Sequence, residues 1–127
     1  MKKIKKVLLF THEKYQNNTD VQKLIQFLKR KKIGYELLLQ NVGKIKLNST
    51  GEDLKLSSIR KKISPSSYEL IIVFGGDGLF LSASKVANIL HLPILGINFG
   101  KIGFLVDVDK KDILKKVYEI MNGDYIT

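Results

Sequence analysis

The feature that most constrains this chain is a continuous apolar run, Leu70 to Phe74, that ends in the turn Gly75-Gly76-Asp77-Gly78. The run is rich in β-branched residues and shows no polar alternation, which is typical of a strand covered on both faces in a parallel sheet. The apolar residues that follow recur at helical spacing and predict a helix from Leu79 to Leu90. The residues on its apolar face are Leu79, Ala83, Val86, Ala87 and Leu90. The Asp77 carboxylate is therefore expected between a strand end and a helix start.

A second apolar segment, Pro93 to Ile97, repeats this pattern and is followed by the glycine-rich stretch Asn98 to Gly103. Two successive parallel strands would thus each end in a glycine turn. Ligands of open α/β sheets bind in the crevice outside the carboxyl ends of the strands. The sequence therefore predicts that both turns lie at one ligand-binding edge.

The rest of the chain completes a predicted α/β domain of three layers with a mainly parallel sheet. The stretch from Gln40 to Ser57 lacks periodicity and is predicted to be a long loop. Before the central stretch, the predicted elements are a strand at Val7 to Phe10, a loop at Thr11 to Asn18, a helix capped by Thr19 or Asp20 and stopped at Ile33 and Gly34, and a strand at Tyr35 to Leu39. A short helix over Leu56, Ile59 and Ile63 is predicted to end at Ser64 and Pro65. After the central stretch, a strand is predicted at Phe104 to Val108 and a helix from Asp109 or Asp112 to Asn122 and Gly123.

Length and composition narrow the class of protein. The 127 residues fit one domain, and the absence of cysteine leaves no disulfide framework or thiol nucleophile to consider, which is compatible with a cytoplasmic protein. The apolar run at Val7 to Phe10 is too short for a signal peptide or a membrane span. The formal charge of +10 is almost all lysine, with arginine only at Arg30 and Arg60. Because nucleic-acid readers rely on arginine and stacked aromatics, we expect no nucleic-acid partner. The short apolar run leads us to expect no membrane partner either.

The first turn suits phosphate binding. Consecutive glycines bring bare N–H groups close to an anion, and the following helix adds the positive end of its dipole. A carboxylate among such groups repels phosphate, so Asp77 would hold a hydroxyl nucleophile or a phosphate-bound Mg²⁺. An alternative stays open, in which the glycines only form a tight turn and Asp77 caps the helix.

Taken together, GGDGLFL at Gly75 to Leu81 and PILGINFGKIGFLVDV at Pro93 to Val108 resemble the N-terminal domain of NAD kinases. The GGDG turn alone is shared with lipid kinases of the diacylglycerol type and with phosphofructokinases, so the second motif makes the choice. The resemblance implies that residues 1–127 form the N-terminal α/β nucleotide-binding domain, with a Rossmann-like or flavodoxin-like fold.

The resemblance also implies roles for individual residues. Asp77 resembles the family's proton acceptor, which faces the 2′-hydroxyl of the adenosine ribose of NAD. The residues implied to bind the dinucleotide or nucleotide are Gly75, Gly76, Asp77, Gly78, Ser82, Asn98, Gly100, Lys101 and Phe104. Two positions depart from the family pattern: Leu79 stands where threonine is common, and Ser82 where many members carry a basic residue.

The resemblance further implies ATP or polyphosphate as the phosphoryl donor, Mg²⁺ or another divalent cation as cofactor, and a homo-oligomeric parent enzyme. No residue of this chain is predicted to be a dedicated metal ligand. The family's second, β-rich domain, with its Asn-Glu pair, has no match in these residues. We therefore expect little or no kinase activity from this chain alone.

Two other functions remain open at this point: a fragment of a GGDG-type lipid kinase, and a non-enzymatic Rossmann-like nucleotide-binding module. The second lacks the G-x-G-x-x-G fingerprint after the first strand. His12 and His91 are expected to be structural or solvent-facing. Asp107 and Asp109 suggest a metal pair, but capping of the last helix by Asp109 is a sufficient explanation of the pattern.

Overall fold

The computed structural model describes residues 4–98 and 101–102. The helices in this part of the chain are α1 (Thr19–Arg30), α2 (Ile59–Lys62) and α3 (Asp77–Leu90). The strands are β1 (Lys6–His12), β2 (Gly34–Asn41), β3 (Lys44–Leu47), β4 (Glu52–Leu54), β5 (Leu70–Phe74), β6 (Ile94–Asn98) and β7 (Lys101–Ile102). They form one sheet in the order β4-β3-β2-β1-β5-β6-β7. The four central strands, β2, β1, β5 and β6, are parallel.

Helices cover both faces of this sheet. One buried cluster joins α1 to alternate residues of β1, β2 and β5, and a second joins α2 and α3 to the opposite side chains of the same strands. All five side chains of β5 are buried, as expected for a strand covered on both faces. The predicted three-layer α/β fold of the Rossmann or flavodoxin type is therefore confirmed.

The predicted apolar face of α3 is also confirmed, since Leu79, Ala83, Val86, Ala87 and Leu90 are all buried. The α3 helix packs close to the sheet because β6 carries a glycine beneath it. A Cβ on Gly96 would lie 2.7 Å from Cδ2 of the Phe80 ring, so the missing side chain makes room for that aromatic ring. None of the helices in residues 4–98 is long and apolar enough to cross a membrane.

The predicted ends of α1 were wrong in detail. Neither Thr19 nor Asp20 is the capping residue; the Asn18 side chain accepts hydrogen bonds from the Asp20 and Val21 N–H groups. At the other end, Lys32 adopts the left-handed conformation with φ of 60°, and Gly34 is already the first residue of β2. The αL stop that glycine usually provides is therefore taken by a lysine here.

The long loop predicted from Gln40 to Ser57 was also wrong. This stretch contains β3 and β4, which extend the sheet from β2 as an antiparallel meander. The side chains of Ile45 and Leu54 are buried against the core on the α3 side. Three to four residues per strand are too few for an apolar alternation to stand out, and the turn residue Val42 hides the hairpin signal.

The β2–β3 hairpin contains a strained residue at its tip. Asn41 pairs with Lys44, so Val42 and Gly43 form a two-residue turn, with φ of 46° and 74°. Two positive φ values indicate a type I′ turn, in which Asn-Gly is the favoured pair. A β-branched side chain is strained in this conformation, and Val42 is 90% exposed, so burial does not compensate for the strain.

We predict that Val42→Asn stabilises the protein by about 1 kcal/mol, because asparagine tolerates the left-handed conformation better than valine. The thermal unfolding midpoint should rise by about 4 °C. Val42→Thr is the matched control, since it adds polarity but keeps the β-branch, and it should leave the midpoint unchanged. An equal rise in both variants would show that polarity, and not backbone strain, limits stability at this turn.

Candidate functional site

The carboxyl edge of the parallel sheet brings the predicted turns together. In the sheet register Thr11 pairs with Phe74, and Phe74 pairs with Ile97. Continuing that register by one residue places Gly75 between His12 on one side and Asn98 on the other. The two glycine segments therefore begin on adjacent strands, in one row, as the sequence predicted.

Hydrogen bonds fix the three strands at this row. The Thr11 hydroxyl donates to the Phe74 carbonyl oxygen at 2.6 Å and is buried. The Gly75 N–H donates to the Ile97 carbonyl oxygen at 3.0 Å. The first bond links the ends of β1 and β5, and the second links the first glycine turn to the end of β6. The start of the turn is therefore held from both sides.

Gly75 is required by the fold. Its φ is 157°, a value that residues with a side chain rarely adopt, and a Cβ at this position would overlap Cδ1 of the buried Leu79 side chain. Gly76 and Gly78 differ from it, since both are exposed and no described atom lies within 4 Å of a Cβ built at either position. The folded chain alone thus explains the first glycine of the turn but not the other two.

The α3 helix starts earlier than the sequence predicted. It begins at Asp77 and not at Leu79, and Gly76 is the N-cap residue, with no side chain that accepts a capping hydrogen bond. Asp77 is therefore the first residue of the helix and not its cap, which removes the alternative reading of this aspartate. The N–H groups of the first helical turn have no acceptor within the helix and form, with the helix dipole, a site suited to an anion.

The second segment turns back sooner than predicted. Lys101–Ile102 form β7, which runs antiparallel to β6 and pairs Asn98 with Lys101. The backbones of these two residues thus lie at the carboxyl edge, next to Gly75. Among the other predicted site residues, Ser82 is half-buried in the second turn of α3, farther from the edge than Asp77.

Several predictions lie outside the described residues. They concern the site residues Gly100 and Phe104, the strand at Phe104 to Val108, the aspartates Asp107 and Asp109, and the last helix ending at Gly123.

The loop after β1 borders the same edge, and sequence reasoning missed how it is held. Asn41 Nδ2 donates to Glu13 Oε2 at 2.6 Å, and Lys46 Nζ lies 3.8 Å from Glu13 Oε1. Gln16 Nε2 donates to Asn48 Oδ1 at 3.2 Å. All three contacts link the loop to the end of β2 or to the meander, on the side away from β5. No sequence signal predicted them, because they depend on the meander, which was predicted to be a loop.

A cavity of about 430 Å³ lies between this loop and the meander. Its walls include Glu13, Leu39, Lys46 and Asp53, and no residue of the glycine turn lines it. The cavity is therefore separate from the predicted site.

The charged groups of the described residues form no preassembled metal cage. Within residues 4–98 and 101–102 no group of three or more histidine, aspartate or glutamate side chains is placed to hold a metal ion. Burial, with the Glu36 carboxylate as a second cause, raises the pKa of the Tyr68 phenol above its usual value. Tyr68 precedes β5 and so lies at the amino edge, away from the glycine turns.

Comparison with known proteins identifies the family. Residues 6–125 match the family model of the ATP-NAD kinase N-terminal domain. The chain belongs to this family. NAD kinase from Aquifex aeolicus (strain VF5) is 33% identical over 105 residues, which are 81% of this chain and 38% of that protein. NAD kinase from Legionella pneumophila (strain Paris) is 31% identical over 126 residues, 97% of this chain and 40% of that protein.

The match confirms the resemblance inferred from the two glycine motifs. The chain spans about two fifths of the length of these NAD kinases. The described part of this ATP-NAD kinase N-terminal domain includes the whole first motif and the beginning of the second.

We predict that Gly75→Ala destabilises the domain by about 1 to 3 kcal/mol, because the new Cβ overpacks against Leu79. Gly76→Ser is the matched control, since it also adds a Cβ to the turn but places it in open space and supplies a helix-capping hydroxyl. Its unfolding free energy should stay within about 0.5 kcal/mol of the wild type. Urea unfolding measures both values. A loss of stability in Gly76→Ser as large as in Gly75→Ala would mean that both glycines serve folding.

Proposed function

We propose that the protein to which this domain belongs phosphorylates the 2′-hydroxyl of the adenosine ribose of NAD to give NADP, and that the carboxyl edge around Gly75 is its reaction site. The observation that carries the proposal is the junction of the two glycine segments, held by the 3.0 Å bond from the Gly75 N–H to the Ile97 carbonyl. Family membership supports the same activity.

The first turn has the features that binding a dinucleotide requires. Gly76 and Gly78 are exposed and are not needed by the fold for space, so their missing side chains would let a ribose or phosphate approach the backbone closely. The uncapped start of α3 offers N–H donors to a phosphate oxygen. Asn98 and Lys101 would border the same ligand from β6 and β7, with Gly100 and Phe104 in the adjoining segment.

Asp77 is proposed to accept the proton of the 2′-hydroxyl as that oxygen attacks the terminal phosphorus of the donor. The bond from this phosphorus to the bridging oxygen breaks, and ADP or a polyphosphate shorter by one phosphate leaves. Phosphoryl transfer usually passes through a loose transition state, so the carboxylate mainly orients the hydroxyl and takes the proton late.

ATP or polyphosphate is the proposed phosphoryl donor, and Mg²⁺ or another divalent cation the cofactor. Magnesium is commonly held by one or two carboxylates together with the phosphates of the substrate. A site with Asp77 and no three-residue cage among the described residues fits that mode. The ion would lower the repulsion between the negative phosphates and the attacking oxygen.

The remaining features of the parent protein are proposals as well. Because the domain spans about two fifths of its relatives, we propose that further residues supply the rest of the NAD pocket and the contacts of a homo-oligomer. We also propose a cytoplasmic enzyme that needs neither a nucleic acid nor a membrane as partner. The domain alone is expected to form little or no NADP.

We predict that Asp77→Asn lowers NADP formation by about 10² to 10⁴-fold, the usual contribution of a positioned general base. The assay uses a chain that includes the family's second domain, with NAD, Mg²⁺ and either ATP or polyphosphate. Loss of the charge at the helix start should change stability by less than about 1 kcal/mol, so that the rate and not folding is affected.

Asp53→Asn is the control, because Asp53 is an exposed aspartate on β4, outside the glycine turns, and its removal should leave the rate unchanged. The 127-residue chain without the second domain gives the baseline rate of NADP formation. A normal rate in Asp77→Asn would contradict the proposed role of this residue, and absence of any NADP from the extended wild-type chain would contradict the proposed activity.

A further inference from the structure

A polar residue that the motif does not include lies in the same row as Gly75. His12, the last residue of β1, pairs with Gln40 on β2, and continuing the β1–β5 register by one residue places it beside Gly75, directly after β5. The side chains of Leu8 and Phe10 pack on the α3 side of the sheet. Because side chains alternate along a strand, His12 also belongs to the α3 side, the face from which the α3 helix starts.

The position of the His12 ring is fixed by its neighbours. Its Nδ1 accepts a hydrogen bond from the Lys14 N–H at 3.0 Å, and its ring meets the Tyr15 ring edge to face at 6.3 Å. In a neutral imidazole whose Nδ1 is an acceptor, the proton is on Nε2. The ring thus presents an N–H donor, and the structure shows no hydrogen bond from it to a described residue.

Among the described side chains next to His12, the acidic one is held on the side away from β5. This residue, Glu13, contacts Asn41 at the end of β2 and Lys46 on the meander. The Lys14 ammonium lies 5.1 Å from the centroid of the Tyr15 ring, so a cation stays close to the same loop. On the side of β2, Gln40 has a buried Oε1 that no described donor meets, and an unsatisfied acceptor does not attract phosphate. Of the two neighbours of His12 in the sheet, only the side of Gly75 and the α3 start offers backbone N–H donors for an anion.

The topology places a ligand crevice at the same point. The α1 helix connects β1 to β2 on one side of it and packs on one face of the sheet. The α3 helix connects β5 to β6 on the other side and packs on the opposite face. The strand order reverses between β1 and β5, which makes this pair the switch point where open α/β sheets bind their ligands. His12 ends one strand of the pair and the glycine turn follows the other.

We infer that His12 is a phosphate-binding residue of the proposed kinase site, donating from Nε2–H to a phosphate oxygen of a bound nucleotide or polyphosphate that spans from the α3 start across β1. This inference rests on the proposed function for the location of the ligand, but it assigns a residue outside both glycine motifs. The donor polyphosphate and the pyrophosphate of NAD share the chemistry that this site recognises.

The test uses NMR of the isotopically labelled 127-residue chain, which contains only two histidines. Inorganic tripolyphosphate and NAD are titrated separately, and the ring C–H signals of both histidines are followed. His91 ends α3 at the opposite edge of the sheet and serves as the internal control. We expect the His12 signals to shift and saturate with at least one of the two ligands while the His91 signals stay in place. The ligand that produces the shift identifies the source of the phosphate.

Two substitutions separate the contact from the local structure of the loop. His12→Asn retains an acceptor for the Lys14 N–H and loses the distal donor, so binding of the active ligand should weaken about tenfold or more, as expected for a lost hydrogen bond to a charged group. His12→Gln loses the near acceptor but keeps an N–H donor at about the Nε2 position, and its binding should be retained within about threefold.

Parallel shifts of His91 and His12 would indicate non-specific attraction to a lysine-rich surface and would overturn the inference. Shifts of the Gly76 and Gly78 amides on addition of NAD, with the His12 ring unmoved by either ligand, would overturn it while leaving the proposed function intact. If neither ligand shifts His12 or the turn amides, both the inference and the proposed binding edge are wrong.

Discussion

The parallel pairing of β1 with β5 is the interaction on which the site geometry depends. It places the ends of two buried strands side by side, and the buried hydrogen bond from the Thr11 hydroxyl to the Phe74 carbonyl closes the pair at its last row. A buried polar group that lacked this partner would cost about 1 to 3 kcal/mol, so the pair favours a single register. From this register follow the positions of Gly75 beside β6 and of His12 beside Gly75.

The meander of β3 and β4 adds two antiparallel strands to the parallel sheet. It extends the sheet beyond β2, and its polar side chains hold the loop after β1 through Glu13 and Gln16. Each of these contacts is exposed and individually weak. Together they link the loop to the end of β2 and to the meander, on the side of His12 away from β5.

The sequence predicted the centre of the fold well because the strongest local signals lie there. The five apolar residues of β5 and the helical spacing of Leu79 to Leu90 allow few interpretations, and the GGDG turn between them indicated the family only together with the second glycine motif. The edges were harder to predict. Val42 occupies a turn position that usually takes asparagine, and Lys32 adopts a conformation that usually takes glycine. Residue propensities therefore indicate neither the β2–β3 turn nor the end of α1.

The site was predictable in part for the same reason. Gly75, Gly76, Asp77 and Asn98 follow apolar strands directly, so their place at the carboxyl edge could be read from the strand order. The position of His12 beside Gly75 could not be predicted from the sequence. It depends on which strand pairs with β5, and that strand, β1, lies more than fifty residues earlier in the chain. Long-range register is a property of the whole sheet and leaves no local trace in sequence.

The central claim is that one edge of the sheet, the carboxyl edge at the β1, β5 and β6 ends, receives NAD. Backbone amide signals of the labelled chain, followed by NMR during titration with NAD, test it most directly. The account predicts that the largest shifts fall on Gly75 to Leu79, with smaller shifts near Thr11 and Asn98. Shifts that cluster instead at the amino edge, around Gly34, Glu69 and the end of α3, would contradict it.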